Sequence, residues 1–325
     1  MSAILIDHVS RQFSQGAAPA VDDVCLTVEQ GSFVTLLGPS GCGKTTLLKM
    51  INRLYEPTSG RIFVNGADTA TVSPTELRRH IGYVIQQTGL FPHMRVEDNI
   101  AAVPRLLGWE KARSDARVDA MLALVGLPVS YRSRFPRQLS GGEQQRVGVA
   151  RALAADPPIV LMDEPFGAID AINRVRLQDE LLSIQIKLHK TVLFVTHDVE
   201  EAFKLGDRVV IMRSGKIVQV GAPLALATAP ADDFVRELIG ADDMLRRLGM
   251  LQVSAVPLRP IGSAPHLTQQ TVVGNSSLRT ALSLLLQSGA DAITVADEQG
   301  RPLGELTFAD IRALLSQPDA ATAAP

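Results

Sequence analysis

The stretch at 38–46, Gly-Pro-Ser-Gly-Cys-Gly-Lys-Thr-Thr, restricts this chain more than any other. It follows an apolar run at 33–37 that reads as a buried strand. It precedes Leu47, Leu48, Met50, Ile51 and Leu54, which the helical period places on one face of a helix. Strand, glycine-rich loop and helix in that order satisfy the pattern G-x-x-x-x-G-K-[ST]. Gly38, Gly41 and Gly43 turn backbone N–H groups inward with no Cβ in the way, and a helix start adds amides that lack intrahelical partners. The product is a nest for phosphate. Lys44 supplies charge for the β- and γ-phosphates of a nucleotide, and the Thr45 hydroxyl supplies a magnesium ligand.

A chain with such a loop needs an acid near it, and one pair stands out. The apolar strand at 159–162 delivers Asp163 and Glu164 at its carboxyl end. Adjacent carboxylates after a buried strand are costly unless they bind metal or handle protons. A second apolar strand, 191–195, ends in Thr196, His197 and Asp198, which makes His197 a candidate for contact with a γ-phosphate. A third, 81–85, ends in Gln86 and Gln87. The run Leu-Ser-Gly-Gly-Glu-Gln-Gln-Arg at 139–146 opens a helix with Ser140 at the N-cap, and its paired glycines leave the first amides uncovered, a second anion site by the same physics.

The remaining segments frame these. Alternation at Ile4, Ile6, Val24, Leu26 and Val28 predicts half-buried antiparallel strands, with Phe13 between them either in the core or stacked on an adenine. Helices are expected at 110–125, with Ala116, Met121, Leu122 and Val125 inward, and at 173–189, with Leu177, Leu181, Ile184 and Leu188 inward. The stretch 88–109 carries Phe91 beside Pro92 and an amphipathic run through Ile100, Val103 and Leu106. It is either core or a surface for a partner's helix. Strand and helix alternation through the middle implies a mainly parallel sheet covered on both faces, with ligands at the carboxyl ends of its strands.

Taken together, these motifs resemble the ATPase subunit of an ABC transporter over 4–240, because they occur in that family's order: phosphate loop, Gln86, signature 139–145, acids at 159–164, a D-loop at 167–170, and His197. The resemblance implies a P-loop α/β fold with antiparallel β and helical subdomains, and two subunits sandwiching two ATP molecules. It implies that Gly38, Ser40, Gly41, Cys42, Gly43, Lys44, Thr45, Thr46, Gln86 and Phe13 contact ATP. Thr45, Gln86 and Asp163 would serve Mg2+, Glu164 would orient the attacking water, and His197 would touch the γ-phosphate. Ser140, Gly141, Gly142 and Asp170 would reach across the dimer interface. Against the commonest pattern, Glu143 stands where glutamine is frequent, Ile169 where leucine is, and Phe13 where tyrosine often stacks on adenine.

A finer resemblance, to the ATPase subunits of importers of glycine betaine, choline or carnitine, rests on Tyr-Val-Ile-Gln-Gln at 83–87, Gly-Leu-Phe-Pro-His-Met at 89–94 and Val-Pro-Arg-Leu-Leu-Gly-Trp at 103–109. It implies transmembrane permease subunits as partners, a substrate-binding protein indirectly, and a peripheral place on the cytoplasmic side of the inner membrane. Composition agrees. A net charge of −2 gives no general attraction to nucleic acid or anionic lipid, and Cys25 and Cys42 cannot make a disulfide framework. Neither a leader nor an apolar stretch of spanning length is evident. A soluble ABC ATPase acting on ribosomes or DNA would by family pattern carry two cassettes or a coiled-coil insertion. Within a boundary at 240, residues 241–317 form a second region in which 271–317 resembles one CBS motif: a helix capped by Ser276 or Ser277, strands at 292–296 and 303–307, and a helix at 308–315. Residues 318–325 read as a disordered tail.

Overall fold

The computed structural model describes residues 2–14, 16–86, 89–167, 169, 171–240, 248–249, 251–262 and 267–315. The chain divides into two compact units, 1–197 with 210–217, and 198–209 with 218–325, so the boundary expected at 240 lies inside the second. Gln87, Asp170 and the expected tail at 318–325 lie outside the described residues.

The strands up to Gly221 form two sheets, of which β9 and β10 lie only partly in the first unit. Strands β1 (Ser2–Arg11), β2 (Val21–Glu29), β4 (Ser59–Val64) and β5 (Ala67–Asp68) form an antiparallel sheet in the order β2-β1-β4-β5. Ile4, Ile6, Val24 and Val28 fill its buried face, as their alternation requires. The larger sheet contains β3 (Phe33–Leu37), β6 (Ile81–Val84), β7 (Ile159–Asp163), β8 (Thr191–Thr196), β9 (Arg208–Arg213) and β10 (Lys216–Gly221), in the order β10-β9-β3-β8-β7-β6. Pairings β3–β8, β8–β7 and β7–β6 are parallel, and every residue of β3, β7 and β8 is buried. That pattern explains their unbroken apolar character, since a parallel sheet is covered on both faces.

Helix α1 (Lys44–Ile51) follows β3. Helices α2 (Pro74–Arg79), α3 (Val96–Leu106), α4 (Lys111–Leu124), α5 (Gly141–Leu153) and α6 (Ala171–Leu188) complete the unit. Arg132, between α4 and α5, joins Glu97 of α3 to Asp115 and Asp119 of α4 at 2.9–3.1 Å. Several inward assignments change. Leu54 lies beyond α1, which ends at Ile51, and is exposed. Ala116 faces solvent, and Ser114 and Val118 take its place in the buried stripe. Leu106, in the stretch left open between core and partner surface, is 77% exposed, at the end of a helix whose buried positions are Val96, Asn99, Ile100, Ala101 and Pro104. Leu188 is only half-buried, at the last turn of α6. Leu54, Leu106 and Leu188 lie at or past the ends of their helices, whereas Ala116 is inside α4 on the face away from Ser114 and Val118.

The choice left open at 88–109 divides within the segment. Phe91 is exposed, with the Arg151 guanidinium 5.7 Å from its ring centroid, whereas Asn99 is fully buried. Asn99 accepts the Phe91 N–H at 2.8 Å and donates to the carbonyls of Phe91, Met94 and Arg95, so a polar side chain holds the loop that presents Phe91.

The second unit contains helices α7 (Val199–Leu205), α8 (Pro223–Thr228) and α9 (Asp233–Ile239), then β11 (Leu267–Val273), α10 (Leu278–Ser288), β12 (Ala292–Ala296), β13 (Pro302–Thr307) and α11 (Phe308–Leu315). Its sheet runs β11-β12-β13, parallel then antiparallel. Ser277 caps α10 by accepting the Thr280 amide at 3.2 Å, and Leu278, Ala281 and Leu285 are buried. Arg259 grips Asp310 through paired bonds of 2.8–2.9 Å, which holds that carboxyl below the usual range together with the Thr307 hydroxyl and amide and against the effect of burial.

Candidate functional site

The register of the larger sheet brings the candidate residues to one edge. Leu37 pairs with Thr196, Asp163 with Val195, and Val84 with Met162. The carboxyl ends of four parallel strands are therefore level to within a residue or so, and the segments leaving them share that edge. Gln86, two residues past Val84, stands beside Glu164, two residues past Met162.

The loop at 38–46 has the backbone its glycines imply. Gly38, Gly41 and Gly43 have φ of 158°, 80° and 110°. A Cβ at Gly43 would stand 2.3 Å from the Ala20 carbonyl oxygen, and at Gly38 equally near that of Met212, so close backbone approach forces glycine at both. Gly41 meets nothing within 4 Å and is glycine for its φ alone. Helix α1 starts behind Gly43 with no side chain capping its amides. The Lys44 ammonium, nearly buried, folds across the loop and donates to the carbonyls of Gly38 at 2.6 Å and Pro39 at 3.0 Å, with the Cys42 sulfur at 3.7 Å. Ser40 is exposed, and Thr46 is half-buried in the first turn.

Thr45 donates its hydroxyl to Asp163 Oδ1 at 2.8 Å. Asp163 is 3% exposed, and burial raises its pKa against the Thr45 hydrogen bond, the neighbouring Glu164 charge raising it further. Burial, followed by the Asp163 charge, likewise raises the Tyr83 phenol. A buried carboxylate in this condition, bonded to a threonine hydroxyl, with Gln86 held nearby on Glu164, brings hard oxygen donors that suit Mg2+.

Glu164 is the residue on which the edge converges. Its Oε2 accepts Gln86 Nε2 at 3.2 Å and lies 3.1 Å from His197 Nδ1. Its φ of 44° is left-handed, a conformation worth about 1–3 kcal/mol of strain in a residue with a side chain, and its amide is held by the Val195 carbonyl at 3.0 Å. The chain turns sharply off β7 there and sends the carboxylate toward Gln86 and His197.

Phe13 is not core. It is 53% exposed, edge-on to Tyr55 at 5.2 Å, with the Arg11 guanidinium 4.7 Å from its centroid. Tyr55 carries no sequence signal of this role, lying in a turn after α1. At the start of α5 Ser140 caps the helix and Glu143 completes a capping box, so the amides there are less bare than the paired glycines imply. Ser140 and Gly141 are exposed; a Cβ at Gly141 would meet nothing, and one at Gly142 only Leu177 Cδ1 at 3.8 Å. Neither has a positive φ. Among the described residues nothing requires glycine at either position.

Fold and site together define a P-loop nucleotide-binding protein. The sequence profile described as "ABC transporter" matches residues 21–167. The glycine betaine uptake system ATP-binding protein YehX of Escherichia coli (strain K12) is 47% identical over 308 residues, 95% of this chain and 98% of that protein. The sulfate/thiosulfate import ATP-binding protein CysA of Synechococcus elongatus is also 47% identical, but over 242 residues, 74% of this chain and 69% of that protein. A solved dimeric structure of the ATP-binding cassette MJ0796 in a post-hydrolysis state, bound to ADP and Pi, superposes with a TM-score of 0.61 at 30% identity, covering 67% of this chain and 98% of that one. The chain belongs to the ATP-binding subunits of ABC transporters, a family of ATPases.

Proposed function

We propose that this protein hydrolyses ATP to drive import of a quaternary amine such as glycine betaine, choline or carnitine. The arrangement around Glu164 carries the catalytic part of the reading. Its carboxylate, positioned by Gln86 and His197, is the group that orients the attacking water, and His197 is placed to contact the γ-phosphate. Loop amides at Gly38, Ser40, Gly41, Cys42, Gly43 and Thr46 hold phosphates with Lys44, which exchanges the Gly38 and Pro39 carbonyls for phosphate oxygens. Thr45, Asp163 and Gln86 would hold Mg2+, which would supply charge stabilisation to the phosphates. Phe13, exposed beside Arg11 and Tyr55, offers its ring to adenine.

The glycines at 141 and 142, required by nothing among the described residues, support a dimer in which Ser140, Gly141 and Gly142 approach the nucleotide of a second copy, with Asp170 at the same interface. Among the described residues no helix is long and apolar enough to cross a membrane, so transport requires permease subunits that span it. Phe91, held out by Asn99, belongs to the surface they would cover, on the cytoplasmic face of the membrane. The solute assignment rests on the extent of similarity. The sulfate and betaine relatives are equally identical over what they match, but the match to the betaine relative extends over 308 residues against 242 for the sulfate relative. The region after 240, with its β-α-β-β-α order at 267–315, is proposed as a CBS-like regulatory module.

Co-purification from membranes, followed by uptake with labelled betaine, choline, proline and sulfate, tests this. ATP-dependent uptake of a quaternary amine is the expected result; sulfate uptake alone would overturn the solute assignment.

A further inference from the structure

The start of α5 contains a competition that the proposed reaction does not explain. The Ser140 hydroxyl has one hydrogen, donated to Glu143 Oε2 at 2.9 Å, and it accepts the Glu143 amide at 3.4 Å. The same Oε2 accepts the Ser140 backbone N–H at 2.7 Å, and Oε1 accepts the Tyr131 hydroxyl at 2.8 Å. Three donors thus converge on one carboxylate. They hold its pKa below the ordinary glutamate value, the Ser140 backbone N–H first and then the hydroxyls of Tyr131 and Ser140, with the Arg134 charge adding to them, against partial burial. Glu143 is a fixed negative charge at the mouth of a helix that is otherwise open to an approaching anion.

A γ-phosphate oxygen needs the same hydroxyl hydrogen, and Ser140 has only one to give. We propose that Glu143 is a positioning residue that competes with the γ-phosphate of the facing subunit's ATP for the Ser140 hydroxyl, so that dimer closure exchanges one acceptor for the other. This rests on the reading above, in which Ser140 faces the nucleotide of a second copy. In the exchange the hydroxyl hydrogen leaves Oε2 for a phosphate oxygen. The carboxylate keeps the Ser140 N–H and the Tyr131 hydroxyl, stays ionised, and opposes the incoming anion at close range. A glutamine at 143 would keep an oxygen for the Ser140 amide without the charge. The acid therefore restrains ATP-driven closure, with Tyr131 keeping the restraint aimed.

The test uses the full chain carrying Glu164→Gln to suppress turnover. ATP-dependent self-association is measured by sedimentation for this parent, for added Glu143→Gln and for added Tyr131→Phe, across a salt series, with thermal melting alongside. Glu143→Gln is expected to associate about tenfold more tightly at low salt, the scale of one like-charge contact across a hydrated gap. The gain should shrink as salt screens it. Tyr131→Phe should shift association less, in the same direction. A residue that merely caps the helix would change melting and leave the salt dependence alone. Association of Glu143→Gln equal to or weaker than the parent at every salt concentration overturns the inference. If the parent and both variants all fail to associate with ATP, the two-subunit reading itself falls, and the inference with it.

Discussion

Helices α1 and α5 begin with the same electrostatic problem and resolve it in opposite ways. Each has unpaired N-terminal amides and the positive end of a helix dipole. Helix α1 has no capping side chain and no acid in its first turn, and its N-cap is Gly43 in a left-handed conformation. Helix α5 has Ser140 at the cap and Glu143 in its first turn, bonded to each other reciprocally. The first is left bare, and in the proposed function its anion is the ligand's phosphate. The second carries its own anion, so a ligand arriving there has to compete. Two loops that look alike as glycine-rich phosphate sites in the sequence therefore differ in what binding to each requires.

The largest test of this contrast removes the positive charge from the bare terminus. Lys44→Ala should weaken ATP binding by about a hundredfold, the worth of charge-assisted hydrogen bonds to phosphate, as measured by nucleotide titration. Unchanged affinity would mean that the bare helix start is not where the phosphates sit. At the capped terminus the added group should matter only between subunits. Gly141→Ala meets nothing in the chain, and alanine favours a helix over glycine by about 1 kcal/mol, so melting should stay level or rise. Turnover should nonetheless fall roughly tenfold as the new methyl meets the second copy. A loss of stability instead would show that the glycine serves the subunit itself.

The smallest effect concerns pH. Glu143 titrates below the ordinary value, so its contribution to stability is complete above the usual glutamate range and is lost as pH falls through the lower, folded-state value. Glu143→Gln should flatten that acid-side decline by less than about 1 kcal/mol, the scale of a charge at a helix terminus, as read from melting across an acid pH series. An identical decline in the variant would show that the carboxylate of the second terminus adds no stability as an ion.

Much of this protein was legible locally. The phosphate loop, the strands carrying Asp163 and His197, the Ser140 cap and even the elements Ala292–Ala296 and Phe308–Leu315 follow from period, glycine placement and capping chemistry, all of which act within a few residues. Apolar period could not fix which positions are covered, so Leu54, read on the face of α1, and Ala116, read on the inner face of α4, emerged at the surface. Nor could it separate Phe91, which is exposed, from Asn99, which is buried to hold it in place. Tyr131, which anchors Glu143, has no sequence signal, because the contact depends on how the segment after α4 packs beside α5. The meeting of Gln86 and His197 on Glu164 joins residues 78 and 33 positions apart. Chemistry along the chain identified those three side chains, but only the parallel order of β6, β7 and β8, a long-range pairing that no local pattern encodes, brought their strand ends level and placed all three on one carboxylate.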